Sequence, residues 1–379
     1  MSNGQNAAIV VHGGGPSPVL NASLVGIIDA CRRSKKFDRL YGARFGAHGL
    51  LRDDWIDLDS LSSELLGRIR RAPGSVLGSS RAVFDQTDVA PVLDVCRKRG
   101  VGTIFFTGGN GSMKTALLLH QAANLTVIGV PKTVDNDLAG TYHCPGFGSA
   151  ARFYAYAVRD IGADNRALPS PVTVVEVIGR NAGWVVGATA LARSRPDDAP
   201  HLIYLPERPP TLDQICRDVE QVYQKLGRVV VAVCEGLRDP GGEPFGAELD
   251  RAGSKQHELA ANLGHTLARA VNRAIGLRVR SEKPGLLGRS CSLAISEVDA
   301  QASYRCGWAA VIAAEQNQSG IMIGLQPSGS TVSVPLEDVA GIERLVPSDW
   351  ISVHGNNVTN EFLRYVAPLV GTIEPLPCL

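Results

Sequence analysis

The chain has 379 residues, 44% of them hydrophobic, and carries 38 Lys+Arg against 37 Asp+Glu for a formal net charge of +1. Its length exceeds one typical domain, which predicts two α/β lobes, each able to bury a core. The near-neutral balance without a basic run gives no electrostatic case for nucleic acid or an anionic membrane, and the start MSNGQNAAIVVHGGG shows neither a charged n-region nor a long apolar stretch.

In chain order, Ala7 to Val11 reads as a short apolar strand, followed by His12-Gly13-Gly14-Gly15-Pro16 and a helical pattern over Asn21 to Cys31. Glycines there let the backbone approach a diphosphate. Taken alone, an ordinary tight βα turn is an equal reading. The stretch Arg68 to Phe84 contains GSVLGSSRAVF, in which small residues before Arg81 predict a loop able to fold over phosphate with the guanidinium inward. A lone loop arginine is otherwise a solvated surface residue. Gly102 to Thr107 reads as a buried strand ending in Gly108-Gly109-Asn110-Gly111-Ser112, with a helix from Met113. Leu125 to Val130 is a second strand, leading into Pro131-Lys132-Thr133-Val134-Asp135-Asn136-Asp137. Val172 to Val177 and Arg228 to Val233 are two more buried strands, closing at Ile178-Gly179-Arg180 and Cys234-Glu235-Gly236. A helix follows Glu297, and the tail alternates like strand in GIMIGLQ and STVSVPL. The eight cysteines are scattered with no CxxC, which reads as reduced thiols in a cytoplasmic protein.

Chemistry concentrates between Phe105 and Asp137. A strand running through a glycine turn into a helix N-terminus favours phosphate, through free N–H groups and the helix dipole. A lysine and two carboxylates then stand at the carboxyl end of the neighbouring strand, where open α/β sheets bind ligands. Phosphate cradle, cation and carboxylates together are what phosphoryl transfer needs. The bland reading of Asp-Asn-Asp is a solvated turn with an Asx cap; it loses once the strand and Pro-Lys-Thr precede it. An NAD-dependent dehydrogenase fails on the lack of GxGxxG with an acidic residue roughly 20 positions on.

GGNGS followed by PKTVDND resembles the paired motifs of the phosphofructokinase family, GGDGS or GGDDS and P(G/K)TIDND. The PKT form is most similar to the short bacterial pyrophosphate-dependent 6-phosphofructokinases, as is the stretch through VTVVEVIGRNAGW and PHLIYLPE. The resemblance implies two Rossmann-like three-layer α/β/α lobes with the active site in the cleft between them. It places the phosphoryl donor on residues 1–144 plus about 287–319, and the sugar phosphate on 145–286 plus about 320–379. It implies an Mg²⁺-dependent transfer from pyrophosphate to the 1-hydroxyl of fructose 6-phosphate by a cytoplasmic homo-oligomer, dimer or tetramer.

The roles carry over residue by residue. Asp135 is the general base, Asp137 orients it or helps hold Mg²⁺ with Asn110, and Thr133 bonds the acceptor. Gly14, Gly15, Gly109, Gly111, Ser112, Arg81 and Lys132 hold the donor phosphates. Ile178, Gly179 and Arg180 line the sugar, with Arg180 meeting the phosphoryl group in flight. Glu235 accepts from sugar hydroxyls, while Arg280 and Arg289 bind the acceptor phosphate, Arg280 from a neighbouring subunit. Several positions depart from the family pattern. Val19 stands for a glycine, Asn110 for an aspartate, Leu286 for His or Tyr, Gly288 for Gln, and Pro171 for an arginine of the ATP enzymes. Gly111 is the ATP-type residue, because pyrophosphate enzymes usually carry Asp there. ATP as donor, sedoheptulose 7-phosphate as acceptor and a non-catalytic sugar-phosphate-binding homologue therefore stand as alternatives.

Overall fold

Runs of β-branched and small residues form the strands, and glycines follow the strands over residues 7–12, 101–108, 172–177 and 229–234. In the computed structural model, which describes residues 6–82, 84–122, 124–168, 171–243, 245 and 262–377, the chain divides into two units. The first runs to Phe147 and resumes over Arg289–Arg344; the second is Gly148–Gly288 with the chain from Leu345 on. The elements are β1 (Ala7–His12), α1 (Leu20–Arg33), β2 (Arg39–Ala43), α2 (Ala47–Arg52), β3 (Trp55–Asp57), α3 (Ser63–Arg71), α4 (Gln86–Lys98), β4 (Val101–Gly108), α5 (Asn110–Ala122) and β5 (Thr126–Pro131). Then come α6 (Phe147–Ala167), β6 (Val172–Val177), α7 (Trp184–Ala188), β7 (Leu202–Tyr204), α8 (Leu212–Leu226), β8 (Val229–Cys234), α9 (Leu263–Ile275) and β9 (Val279–Glu282). The last are α10 (Glu297–Glu315), β10 (Ile321–Leu325), β11 (Thr331–Pro335) and α11 (Asn360–Val370).

The first unit holds a seven-stranded sheet in the order β11-β10-β5-β4-β1-β2-β3, parallel at its centre and antiparallel at both edges. Its central strands are buried on both faces, which is why β1 and β4 are mostly apolar, with His12, Thr103 and Thr107 buried among their apolar residues. On one face Leu24, Ile27 and Ile28 of α1 pack with Ala302, Cys306 and Ala310 of α10. These two helices touch at glycine: a Cβ on Gly26 would lie 2.2 Å from the Tyr304 carbonyl oxygen, and one on Gly307 2.0 Å from that of Ser23. On the other face Val89 and Val92 of α4 and Met113, Ala116 and Leu119 of α5 form a second core.

One expected boundary is corrected here. The resemblance puts the tail from about residue 320 in the second lobe, yet β10 pairs with β5 through Ile321–Ile128 and Met322–Gly129, and β11 closes that edge. Strand pattern records that IMIGL must be buried, not which sheet buries it. The chain passes between units after Phe147, Gly288 and Arg344 rather than near 144, 286 and 319.

The second unit holds four parallel strands ordered β7-β8-β6-β9. Ile215 and Val219 of α8 and Leu263, Leu267 and Val271 of α9 cover one face. Val175, Val177, Val230 and Ala232, on the opposite face by the two-residue repeat, are also fully buried, with α7 against β7 and β8. Trp184 stacks on Phe362 of α11 at 6.0 Å. Both units are therefore helix–sheet–helix sandwiches of the expected α/β class.

Candidate active site

The first unit brings three backbone turns together. Gly13 N–H donates to the Thr107 carbonyl at 2.8 Å, and Gly14 N–H to that of Ser80 at 2.8 Å. Ser79 Oγ donates to the Gly14 carbonyl at 2.7 Å. Ser112 fills the gap between the two glycine turns: its Oγ lies 2.0 Å from where a Cβ would stand on either Gly13 or Gly108, and at Gly108 Ser112 Cβ at 2.5 Å and the Gly13 carbonyl oxygen at 2.9 Å exclude a side chain as well. Gly14 has φ +79°, a backbone that glycine adopts without strain. Helix α5 begins at Asn110, three residues before the expected Met113. Asn110, Gly111 and Ser112 thus sit in its first turn, where N–H groups lack intrahelical acceptors and face an anion readily.

Three cations converge on this cradle. Lys132 is 4% exposed, its N–H bonds the Gly108 carbonyl at 3.0 Å, and its Nζ donates to the Gly15 carbonyl at 2.6 Å. Burial lowers its pKa to about 8; Asp135 and Asp137 oppose that shift, while Arg289 and Arg81 add to it. A Cβ on Gly15 would lie 2.9 Å from Arg289 Nη1 and 3.7 Å from Arg81 Nη2. Arg289, expected among the sugar-phosphate ligands, therefore stands with Lys132 and Arg81 at the glycine turn.

The acidic loop lies against the other glycine turn, at Gly109. A Cβ on Gly109 would be 3.8 Å from Thr133 Cβ. Asp135 N–H donates to Thr133 Oγ1 at 3.1 Å, which fixes the start of the bend. Asn136 is its pivot, with φ +57°, and its buried amide oxygen accepts from Cys144 N–H at 2.9 Å. The middle residue of Asp-Asn-Asp is thus structural. Burial pushes the Asp137 carboxyl up, and a hydrogen bond from Thr133 opposes it. Asn110 Oδ1 and Asp137 Oδ1 are both buried without a hydrogen-bond partner, and Asn110 Nδ2 meets the Asp137 carbonyl at 3.4 Å. Two unspent hard oxygens beside a phosphate cradle suit Mg²⁺, which takes one or two protein ligands and completes its shell with phosphate oxygens and water. Among the described residues no group of three or more His, Cys, Asp and Glu forms a self-sufficient metal cage.

His12 was not singled out from the sequence. It is fully buried, and its Nδ1 lies 2.8 Å from Ser75 Oγ. Because Ser75 Oγ donates onward to the Gly78 carbonyl at 2.7 Å, the ring nitrogen is the donor. Burial, then the nearby Lys132 charge, lowers the His12 pKa to about 3 and keeps it neutral. It ties the end of β1 to the loop that carries Arg81. The signal was a polar residue closing a wholly buried strand.

In the second unit the ends of β6 and β8 are stitched together. Glu235 N–H bonds the Val177 carbonyl at 2.8 Å, and Gly236 N–H that of Gly179 at 3.0 Å. Gly179 N–H donates to Glu235 Oε1 at 3.3 Å, and Cys234 Sγ to the Gly179 carbonyl at 2.8 Å. Gly179 has φ +137°, and a Cβ on Gly236 would fall 1.6 Å from the Arg180 carbonyl oxygen, so both glycines are required. Ile178, Gly179, Arg180 and Glu235 thus form one rigid bend, with Arg180 exposed. Burial raises the Glu235 pKa; the Gly179 N–H opposes it, and the Glu176 charge adds to it. Arg280 is not brought to this bend. It pairs with Thr173 in the β6–β9 register, six positions before Gly179, or about 20 Å along a strand. No described helix is long and apolar enough to cross a membrane.

Comparisons with known proteins follow the same lines. A family model, Phosphofructokinase, matches residues 7–314. The pyrophosphate–fructose 6-phosphate 1-phosphotransferase of Rhodospirillum rubrum is 36% identical over 97% of this chain and 95% of its own. The ATP-dependent 6-phosphofructokinase 2 of Streptomyces coelicolor is 31% identical over 90% of this chain and 96% of its own. Among solved structures, the pyrophosphate-dependent phosphofructokinase of Marinobacter aquaeolei superposes with a TM-score of 0.87 at 29% identity, covering 98% of this chain and 93% of that one.

Proposed function

The chain belongs to the phosphofructokinase family, and we propose that it transfers a phosphoryl group from pyrophosphate to the 1-hydroxyl of fructose 6-phosphate, giving fructose 1,6-bisphosphate and phosphate. The observation that carries this is the convergence of Lys132, Arg81 and Arg289 on Gly14–Gly15, with the Thr133–Asp137 loop resting on Gly109. Pyrophosphate has no nucleoside to supply binding energy, so its charge must be met by amides and cations, and this cradle supplies both.

Amides of the glycine turns and of the first turn of α5 hold the donor oxygens. Lys132 and the two arginines balance charge as the bridging P–O bond lengthens. Mg²⁺, when held with Asn110 and Asp137, supplies further charge neutralisation on the phosphates. Asp135 takes the proton of the attacking hydroxyl as the new O–P bond forms. Thr133 donates to the acceptor. In the second unit, the Ile178–Arg180 bend and Glu235 orient the sugar. Arg280, far from that bend in its own chain, serves the acceptor phosphate of a neighbouring copy in a homo-oligomer of cytoplasmic location.

ATP as donor is favoured by one observation: nothing lies within 4 Å of a Cβ built on Gly111, so that room is open. Steady-state rates with pyrophosphate and ATP against fructose 6-phosphate, sedoheptulose 7-phosphate and unphosphorylated sugars, all with Mg²⁺, test the assignment. The highest kcat/KM is expected for pyrophosphate with fructose 6-phosphate. A higher value with ATP would transfer the assignment to the nucleotide, and no turnover with any pair would leave a binding protein.

A further inference from the structure

The loop over residues 72–82 carries Arg81, and two wholly buried side chains, Asn21 and His12, hold it. Asn21 Nδ2 donates to the Ala72 carbonyl at 2.9 Å, and its Oδ1 accepts from Val76 N–H at 3.0 Å. At the far end Gly13 forms a parallel bridge with Ser80, and Gly14 bonds both Ser79 Oγ and the Ser80 carbonyl. His12 precedes these two glycines and bonds Ser75 through its side chain, so three consecutive residues grip the loop. The imidazole is costly there. It closes a strand whose other residues, AAIVV, are apolar and buried, and its Nε2 is buried without a hydrogen-bond partner. An apolar side chain of similar size would leave no such nitrogen unpaired. What the histidine supplies is one 2.8 Å bond to Ser75 Oγ, which donates onward to the Gly78 carbonyl at 2.7 Å. Gly78 N–H returns to the Ser75 carbonyl at 3.1 Å, closing a turn over residues 75–78 in which Gly78 takes φ +76°. Ser79, Ser80 and Arg81 follow directly, and Arg81 Nη2 stands 3.7 Å from a Cβ built on Gly15.

We propose that His12 is a positioning residue for the phosphoryl donor: through Ser75 it fixes the turn over residues 75–78, and through that turn the place of Arg81 beside Gly15. The proposal rests on the donor reading of the glycine turn. His12 is shielded from solvent, and its ring bonds Ser75 alone. Its contribution therefore falls on donor affinity and not on fold stability, where the unpaired nitrogen works against it.

Titration calorimetry and thermal denaturation of the full-length protein with Mg²⁺ test this. His12→Leu keeps a side chain of similar volume and removes both ring nitrogens. The pyrophosphate Kd is expected to rise about three- to tenfold, with the fructose 6-phosphate Kd held within about twofold and the thermal midpoint unchanged or raised. Ser75→Ala, at the half-buried other end of the bond, is expected to weaken pyrophosphate by a similar factor. In an Arg81→Ala background, where the positioned group is gone, His12→Leu is expected to change the pyrophosphate Kd less than about twofold. Additive effects in the two backgrounds, or affinities for pyrophosphate and fructose 6-phosphate that fall together, overturn the proposal. So does a midpoint lowered by more than about 5 °C with both affinities unchanged, which makes the bond a clasp of the fold. If His12→Leu does not fold, or Arg81→Ala binds too weakly to titrate, Ser75→Ala decides: an unchanged pyrophosphate Kd overturns the proposal equally. Failure of the underlying donor reading looks different, because the wild-type protein itself then takes up no pyrophosphate.

Discussion

Lys132→Met separates a ligand-binding cation from a structural clasp. In the free protein two effects of that change oppose each other. The fall of the Lys132 pKa from 10.5 to about 8 corresponds to a penalty of about 3 kcal/mol on the buried charge, which methionine removes. The 2.6 Å bond from Nζ to the Gly15 carbonyl is lost, leaving a carbonyl bare at about 1–3 kcal/mol. The two nearly cancel, so the thermal midpoint of the free protein is expected to move by less than about 5 °C. With donor bound the balance changes, because a desolvated anion then loses its partner at about 3–5 kcal/mol, and kcat/KM for pyrophosphate is expected to fall about 10²–10³-fold. The pH dependence carries a second signature. A folded pKa below the unfolded one means that the penalty is fully present below about pH 8 and fades as pH rises towards 10.5. Ligand-free wild type therefore gains stability relative to the methionine variant over that window, while its kcat/KM for pyrophosphate declines above about pH 8 as the ammonium is lost. Thermal denaturation and pH-dependent steady-state kinetics on both proteins measure all of this. A midpoint that drops by more than about 5 °C with an unchanged donor KM would refute the reasoning and make Lys132 a clasp for Gly15.

Four further substitutions address the remaining groups. Asp135→Asn is expected to lower kcat about 10²–10⁴-fold with both KM values little changed; an unaltered kcat moves the general base elsewhere. Arg289→Ala is expected to raise the KM for pyrophosphate more than that for fructose 6-phosphate, because its guanidinium stands at Gly15, whereas Arg280→Ala is expected to affect the sugar phosphate alone. The opposite split returns Arg289 to the acceptor side. Gly111→Asp enters open room and is expected to fold normally, to lower kcat/KM with ATP, and to keep that with pyrophosphate within a few-fold. Loss of both activities in a folded variant would show that the position discriminates nothing.

The sequence disclosed whatever is local. Strand-to-glycine-to-helix units announce themselves because a buried parallel strand has to be apolar throughout, and a close backbone approach has to be glycine. β1, β4, β5, β6 and β8 accordingly fall within a residue or two of where the pattern puts them, and the motifs at their carboxyl ends carry the family. What stayed hidden depends on partners distant in the chain. IMIGL is a strand by pattern, but only the pairing of Ile321 with Ile128 decides which unit owns it. Asn136 looked like one of three equal acidic-loop residues until its positive φ and its bond to Cys144 made it the pivot.

Arg289 shows the limit most sharply. Adjacent in sequence to Gly288 and nine residues after Arg280, it invites the inference that both arginines serve one phosphate. The chain leaves the second unit between Gly288 and Arg289, so a single peptide bond separates a glycine packed on Tyr154 from a guanidinium beside Gly15. That junction gives the two arginines different neighbourhoods: Arg280 is held on β9 opposite Thr173, while Arg289 stands with Arg81 at Gly15. Sequence proximity to an acceptor motif is therefore weak evidence for an acceptor role wherever the chain changes unit within the motif.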